Sequence, residues 1–402
     1  MLVHAHYPVG ETRVQRQVDA LVARGYDVDV LCLRRPGEPK QEAVGAVQIH
    51  RLPVRRHRSW GMGRQLFEYL AFLVLASARL TGLHRRHRFD TVQVHNLPDA
   101  LVFAAAGVRR TGTTVILDLH DLLPEFLASR AGVPMDHPLV RIALRLERAS
   151  CDFADHVITV TEEWRATLAE RGVPRSKTSV MMNLADPRIF APTTVVASPG
   201  HNGSLELLYH GTLAHRYGLD VLLRAVAGLR DVAVPVHLTL HGQGDILRDL
   251  RVLARDLDLD GAVTFSTDLV ATEELPELIR RADIGVVPYR TDALTDGILP
   301  TKLLEYVAVG VPVVASATSA VRSYFDDSMV RLVAPGSETA LVAAIRALHD
   351  EPRLRAELTA NARRFEQLHG WDETAEAYVG LVRDLARGRE RGASRATSPE
   401  AP

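Results

Sequence analysis

Short apolar, β-branched runs alternate with helix-period stretches along most of the chain, the pattern of parallel α/β sheets. Leu2 to Ala5 predicts a strand, and His6 to Thr12, with Pro8 and Gly10, predicts a loop. Val14, Val18, Leu21 and Val22 then fall on one face of a helix, at i, i+4, i+7 and i+8. Gly25 stands where a left-handed cap is expected, and Asp27 to Leu33 predicts the next strand. Val92 to Val94, Val115 to Leu119, Val157 to Val160 and Ser179 to Met182 continue the series. Several of these runs end in polar residues, among them His95-Asn96, His120-Asp121 and Asn183. In open parallel sheets ligands gather at the carboxyl ends of strands, so these tips point toward a site.

The periodicity stops between Pro192 and Ser204, where Ser198-Pro199-Gly200 and Asn202-Gly203 have the composition of an exposed linker. A second series follows: Leu205 to Tyr209, Val236 to Leu240, Val263 to Phe265, Ile284 to Val287, Val313 to Ala315 and Val330 to Val333. The pattern therefore predicts one α/β domain over 1–190, a linker over 191–202 and a second domain over 203–370. A closing helix over 371–388 and a polar, disordered tail over 389–402 complete the division.

Composition narrows the classes. A chain of 402 residues with 47% hydrophobic content has material for two cores, and a net charge of −1 gives no footprint of a nucleic-acid binder. Cys32 and Cys151 are isolated, so neither a disulfide framework nor a cysteine zinc site is expected, and a cytoplasmic location is the simplest reading. Met1 to His6 reads as a strand rather than a signal peptide. The longest strongly apolar run, Tyr69 to Ala78, is about half of the roughly 20 residues a bilayer crossing needs, so no transmembrane helix is expected. Arg51, Arg55, Arg56, Arg58 and Arg64 flank that apolar stretch. Residues 51–80 are thus a candidate for peripheral contact with the inner face of a membrane, against the alternative of a solvated loop followed by a core helix.

The most informative segment runs from Asp296 to Ala315. It parses as a glycine loop, a helix opening at Pro300 and closing at Gly310, and a strand. A helix N-terminus presents unpaired N–H groups and partial positive charge, a ready phosphate site, to which Lys302 adds a full charge. Lysine occurs in this chain only at Lys40, Lys177 and Lys302. Glu305, three residues on, shares the face of Lys302 and is placed to accept from diol hydroxyls. Phosphate beside such a carboxylate is the chemistry of a nucleoside diphosphate.

On these residues the sequence resembles the large family four of retaining glycosyltransferases, and the resemblance extends over nearly the whole chain. It rests on the 296–315 segment, on His95-Asn96 and His120-Asp121 with Pro124-Glu125, and on Val157 to Thr161 followed by Lys177, Asn183, Asp186 and Phe190. Tyr209 to Leu213, Gly218 to Asp220, Ala282 to Pro288, and Trp371 with the closing helix also contribute. It implies the GT-B fold, two Rossmann-like domains facing each other across a cleft, with the last helix returning to the first. It implies His120 as a catalytic residue and His95, Asn96 and Asp121 on the acceptor side. Donor contacts would come from Gly10, Gly211, Thr212, Gly297, Ile298, Leu299, Thr301 and Glu305. The substrates implied are a nucleotide sugar and an acceptor, with retention of configuration, no cofactor and no metal. No HExxH-type ligand set is present, in keeping with that.

The sequence departs from the family at three places. The first of the family's two glutamates is Gly297 here, and the arginine and lysine that commonly neutralise the diphosphate are Thr212 and Tyr217. The reading adopted is that Lys302 and Arg216 share the diphosphate instead. The same departures motivate the alternative of an inactive sugar-nucleotide-binding protein, and the fold also admits a nucleotide-sugar epimerase or a phosphorylase.

Overall fold

The computed structural model describes residues 1–8, 10–54, 62–192, 204–268 and 270–396, and the chain divides into two compact units, Met1–Met182 with Asp372–Pro402, and Asn183–Trp371. The first unit carries eight strands: β1 (Leu2–His6), β2 (Val28–Leu33), β3 (Gln41–Val44), β4 (Val47–Leu52), β5 (Thr91–His95), β6 (Thr114–Asp118), β7 (His156–Thr159) and β8 (Thr178–Val180). They lie in the order β3-β4-β2-β1-β5-β6-β7-β8. The second unit has six: β9 (Leu205–His210), β10 (Val236–His241), β11 (Val263–Ser266), β12 (Ile284–Val287), β13 (Val313–Ser316) and β14 (Arg331–Val333), ordered β11-β10-β9-β12-β13-β14. The second sheet is parallel throughout and the first is parallel except for its edge strand β3, and β6, β7, β12 and β13 are buried along their whole length, as strands covered on both faces must be.

Each order reverses once. In the first unit the chain leaves β1 toward β2 and returns to the other side of it at β5. In the second it leaves β9 toward β10 and returns at β12. Such switch points open a crevice beyond the carboxyl ends of the two strands. The crevices are bordered here by His6 and His95 in one unit, and by His210 and Val287 in the other.

Two expectations need correction. The sequence reading passed over the hairpin β3–β4, the antiparallel pair that extends the first sheet around Gly45. All four residues of β3 are exposed, so an edge strand gave no apolar signal. The apolar run Tyr69 to Ala78 belongs to a helix of 26 residues, Met62–His87, which over Gly63–His87 is long and apolar enough by length and composition to cross a membrane. It nevertheless buries one face, with Phe72, Ala76, Leu80 and Leu83 inside the first unit. Leu66, Leu70 and Leu75 are exposed, along with Phe67 (71% exposed) and Val74 (66%). Of the basic residues flanking it, Arg51 is buried and paired with Glu38 and Glu42, while Arg55, Arg56 and Arg58 lie outside the described residues. The linker falls mostly outside them too, and the last helix, Trp371–Ala396, runs on through part of the segment read as tail.

The helix Thr301–Val309 is seated on its sheet by a close approach. Tyr306 is fully buried, donates its hydroxyl to the Leu208 carbonyl at 2.9 Å, and lies against Gly285 of β12. A Cβ at Gly285 would fall 2.4 Å from the Tyr306 ring. Gly285→Ala is therefore expected to destabilise the protein by about 1–3 kcal/mol, the cost of overpacking a filled core, read as a lowered midpoint in urea unfolding.

Candidate functional site

In the second unit the expected helix is present, with Pro300 at its N-cap and Gly310 closing it in the left-handed conformation (φ 92°). The loop before it is held in shape from within and from outside. Asp292 accepts from the amides of Leu294 and Thr295, and Asp296 accepts from the amide and hydroxyl of Ser319. Gly297 and Leu299 are buried and Ile298 half-buried, and among the described residues the Ile298 and Leu299 amides have no backbone acceptor. Thr301 is exposed at the first position of the helix.

Lys302 is only 7% exposed. Its ammonium donates to the Tyr289 hydroxyl at 2.7 Å and lies 4.8, 5.1 and 4.9 Å from the ring centres of Tyr209, Tyr217 and Tyr289. These rings come from the two strand ends at the switch point, Tyr209 on β9 and Tyr289 just past β12, and from the turn His215–Tyr217. Burial lowers the ammonium's pKa to about 8, against the opposing pull of Glu305. Burial raises the Tyr209 and Tyr289 hydroxyls well above their usual range, so the cage is neutral and the charge inside it is not cancelled.

Gly211 stands beside that ammonium (φ 115°), where a Cβ would come within 3.3 Å of Cε and 3.5 Å of Nζ. Thr212 is exposed and contributes its carbonyl, which accepts from Tyr209 at 2.7 Å. Arg216 places its guanidinium 5.5 Å from the Tyr217 ring, so the two cations assigned to the diphosphate flank a single side chain. Glu305 lies 3.3 Å from His210 Nε2. Burial, then Lys302 and His241, push that imidazole down to about 3, so it is neutral and the contact is not an ion pair. The sequence reading missed Tyr289, and took Tyr217 for a lost cation rather than a wall of the cage. The signal that was there is a rare lysine following a strand that runs out into Pro288-Tyr289.

In the first unit Gly10 lies exposed in the turn after β1 with φ 95°, on a different unit from the other donor candidates. His95, Asn96, His120 and Asp121 do converge. His95 Nδ1 and His120 Nε2 are 3.0 Å apart, and Asn96 accepts from the His120 amide at 2.8 Å and donates to the Asp121 carbonyl at 2.6 Å. Behind them is Asp118, fully buried and missed by the sequence reading. Arg13 grips it with two hydrogen bonds at 2.8 and 3.1 Å, and Gln17 and Gln93 donate to it at 2.8 and 3.2 Å. Burial alone would push the Asp118 carboxyl up, but Arg13 and the two histidines hold it well below the ordinary carboxylate range. Burial lowers His95 to about 4. Glu125, by contrast, is buried against Arg171 and serves structure.

His95, Asp118 and His120 bring ligand atoms within 4.8 Å of one another, the spacing of a metal site. The donor set does not fit a cation well, because Asp118 already carries a bidentate guanidinium and two amide donors. The arrangement instead orients His120, whose side chain is 20% exposed, through a buried carboxylate.

Two family patterns match the chain in succession, the glycosyl transferase 4-like domain over residues 10–183 and glycosyl transferases group 1 over residues 196–365. A D-inositol 3-phosphate glycosyltransferase of Thermomonospora curvata is 26% identical over 389 residues, 90% of this chain and 88% of that protein. Sucrose-phosphate synthase from Thermosynechococcus elongatus matches the fold with a TM-score of 0.79 at 20% identity, over 96% of this chain and 98% of its own. Anabaena HepE in complex with UDP matches with a TM-score of 0.70 at 16% identity, over 95% and 99% of the two chains. The fold is GT-B, with two parallel-sheet α/β domains.

Asp118→Asn removes the partner of a buried guanidinium. A loss of about 3–5 kcal/mol in unfolding free energy is expected, measured by chemical denaturation at neutral pH.

Proposed function

The chain belongs to the group 1 glycosyltransferases, and from that membership we propose that it moves a sugar, with retention of configuration and without a metal ion, from a nucleotide-diphosphate sugar to an acceptor. One observation carries the reading: a caged ammonium, a second cation and a helix N-terminus meet at the switch point of the second unit. Negative charge develops on the diphosphate as the sugar departs, and donors fixed before the reaction stabilise it without reorganising. Lys302 and Arg216 supply the charge, Gly211 leaves room beside the ammonium, the Gly297–Leu299 backbone faces the sugar and β-phosphate, and Thr301 flanks them. Glu305 accepts from the donor's hydroxyls. The acceptor oxygen attacks from the face the diphosphate leaves, and the phosphate takes its proton. His120, held by Asn96 and His95 in the first unit, is the catalytic residue on the acceptor side. The UDP complex of HepE and the glycosyltransferase relative from Thermomonospora curvata support a nucleotide-sugar donor.

A lipid-linked acceptor reached from the cytoplasmic face of a membrane accords with the outer side of the helix Met62–His87. Leu66, Phe67, Leu70 and Val74 recur there at helical spacing and are exposed. Apolar residues gathered on one solvent-facing stripe mark a contact surface more often than chance exposure does.

Two measurements test these proposals. In a thermal-shift screen against UDP, GDP, ADP, TDP and CMP and their sugar conjugates, one diphosphate is expected to raise Tm, and Lys302→Ala and Glu305→Ala to abolish the rise. No shift with any of them favours an inactive protein with a lost donor site. In sedimentation with vesicles containing anionic lipid, the wild type is expected to pellet and a Phe67→Ser, Val74→Ser variant to remain in solution. Equal recovery of both in the supernatant rules the membrane contact out.

A further inference from the structure

We propose that Tyr289 is the positioning residue of the donor-phosphate lysine, its hydroxyl and the faces of Tyr209 and Tyr217 fixing where the Lys302 ammonium stands. This rests on the donor-site reading above. An ammonium has three N–H donors and no acceptor. Among the described residues the Tyr289 hydroxyl is the only hydrogen-bond partner of Lys302 Nζ, and no carboxylate is in ion-pair contact with it. A buried lysine in a purely structural role is ordinarily satisfied by a carboxylate or by several carbonyls. This one is held mainly by the rings of Tyr209 and Tyr217, which attract a cation without spending its hydrogen-bonding capacity, and by the one hydroxyl of Tyr289. Two N–H donors are left for a ligand. Glycine at 211 keeps the approach open, because a side chain there would come within 3.5 Å of Nζ.

The cage also explains how the charge tolerates a tyrosine at 217. The Tyr217 ring centre is 5.1 Å from Nζ, so residue 217 borders the point the Lys302 ammonium now occupies. One cation at that point, delivered from either position, serves the same diphosphate.

The test begins without ligand. Because the chain has three lysines, ¹³Cε-lysine NMR resolves them, and the signal missing from Lys302→Met identifies Lys302. It is expected to titrate near pH 8 in the wild type and at lower pH in Tyr289→Phe, which keeps the ring and removes the acceptor. Binding of the diphosphate found in the thermal-shift screen is then followed from pH 6.5 to 9.5. Tyr289→Phe is expected to bind about tenfold more weakly, the scale of one hydrogen bond to a charged group, with its alkaline limb moved to lower pH. Lys302→Met is expected to lose binding, and Lys302→Met with Tyr217→Lys to regain about tenfold of it. A Tyr289→Phe variant with unchanged titration, affinity and pH limb overturns the proposal. So does a double variant no better than Lys302→Met. If the wild type shows the NMR titration but binds no nucleoside diphosphate, the donor reading itself fails, and the proposal with it.

Discussion

Taking an ammonium ion out of water costs several kcal/mol even after the protein relaxes around it, and among the described residues no ion pair with Lys302 offsets that cost. The helix N-terminus adds partial positive charge at the same end, which makes the placement worse rather than better. Two tyrosine rings and the hydroxyl of a third tyrosine are the compensation, and they require β9 and β12 to be neighbours, because Tyr209 and Tyr289 come from their ends. The same demand reaches the helix itself. Lys302 can enter the cage only if the helix sits close on the sheet, which the absence of a side chain at Gly285 and the bond from Tyr306 to Leu208 permit. The free protein therefore carries a positive charge that its own fold leaves without a counter-charge in contact.

The first unit handles a buried charge in the opposite way. Asp118 is surrounded by donors, with Arg13, Gln17 and Gln93 at its oxygens, and Tyr378 of the last helix donates to Gln93 at 2.6 Å. Its charge is consumed locally and orients rather than attracts. His95 and His120 rest on it, and Asn96 fixes the backbone on either side of them. A satisfied network of this kind specifies a geometry.

Much of this was legible in the residues. β-branched runs ending in polar tips located the strands that border both switch points, because strands covered on both faces have to be apolar throughout. Pro300 and Gly310 bracketed the helix Thr301–Val309 since each suits only one end of a helix. What stayed hidden came from interactions between residues distant in sequence. Arg13 and Asp118 are paired across 105 positions, and no local period connects them. Tyr217 looked like a deficit because its partner, Lys302, stands 85 residues later. The hairpin at Gly45 was invisible because its outer strand is short and wholly exposed, and the apolar residues of the helix Met62–His87 gave no sign of which ones face inward and which outward.

The lysine cage has a consequence for calorimetry. A site whose ammonium is half deprotonated near pH 8 cannot accept an anion without altering its own proton occupancy, because the bound negative charge raises the lysine's pKa. Association then draws a fraction of a proton from the medium, and the measured heat includes the ionisation of whichever buffer surrenders it. On the proposed assignment of the donor site, enthalpies of donor association become properties of protein and buffer together, and their variation across buffers of different ionisation heat counts the protons that Lys302 takes up.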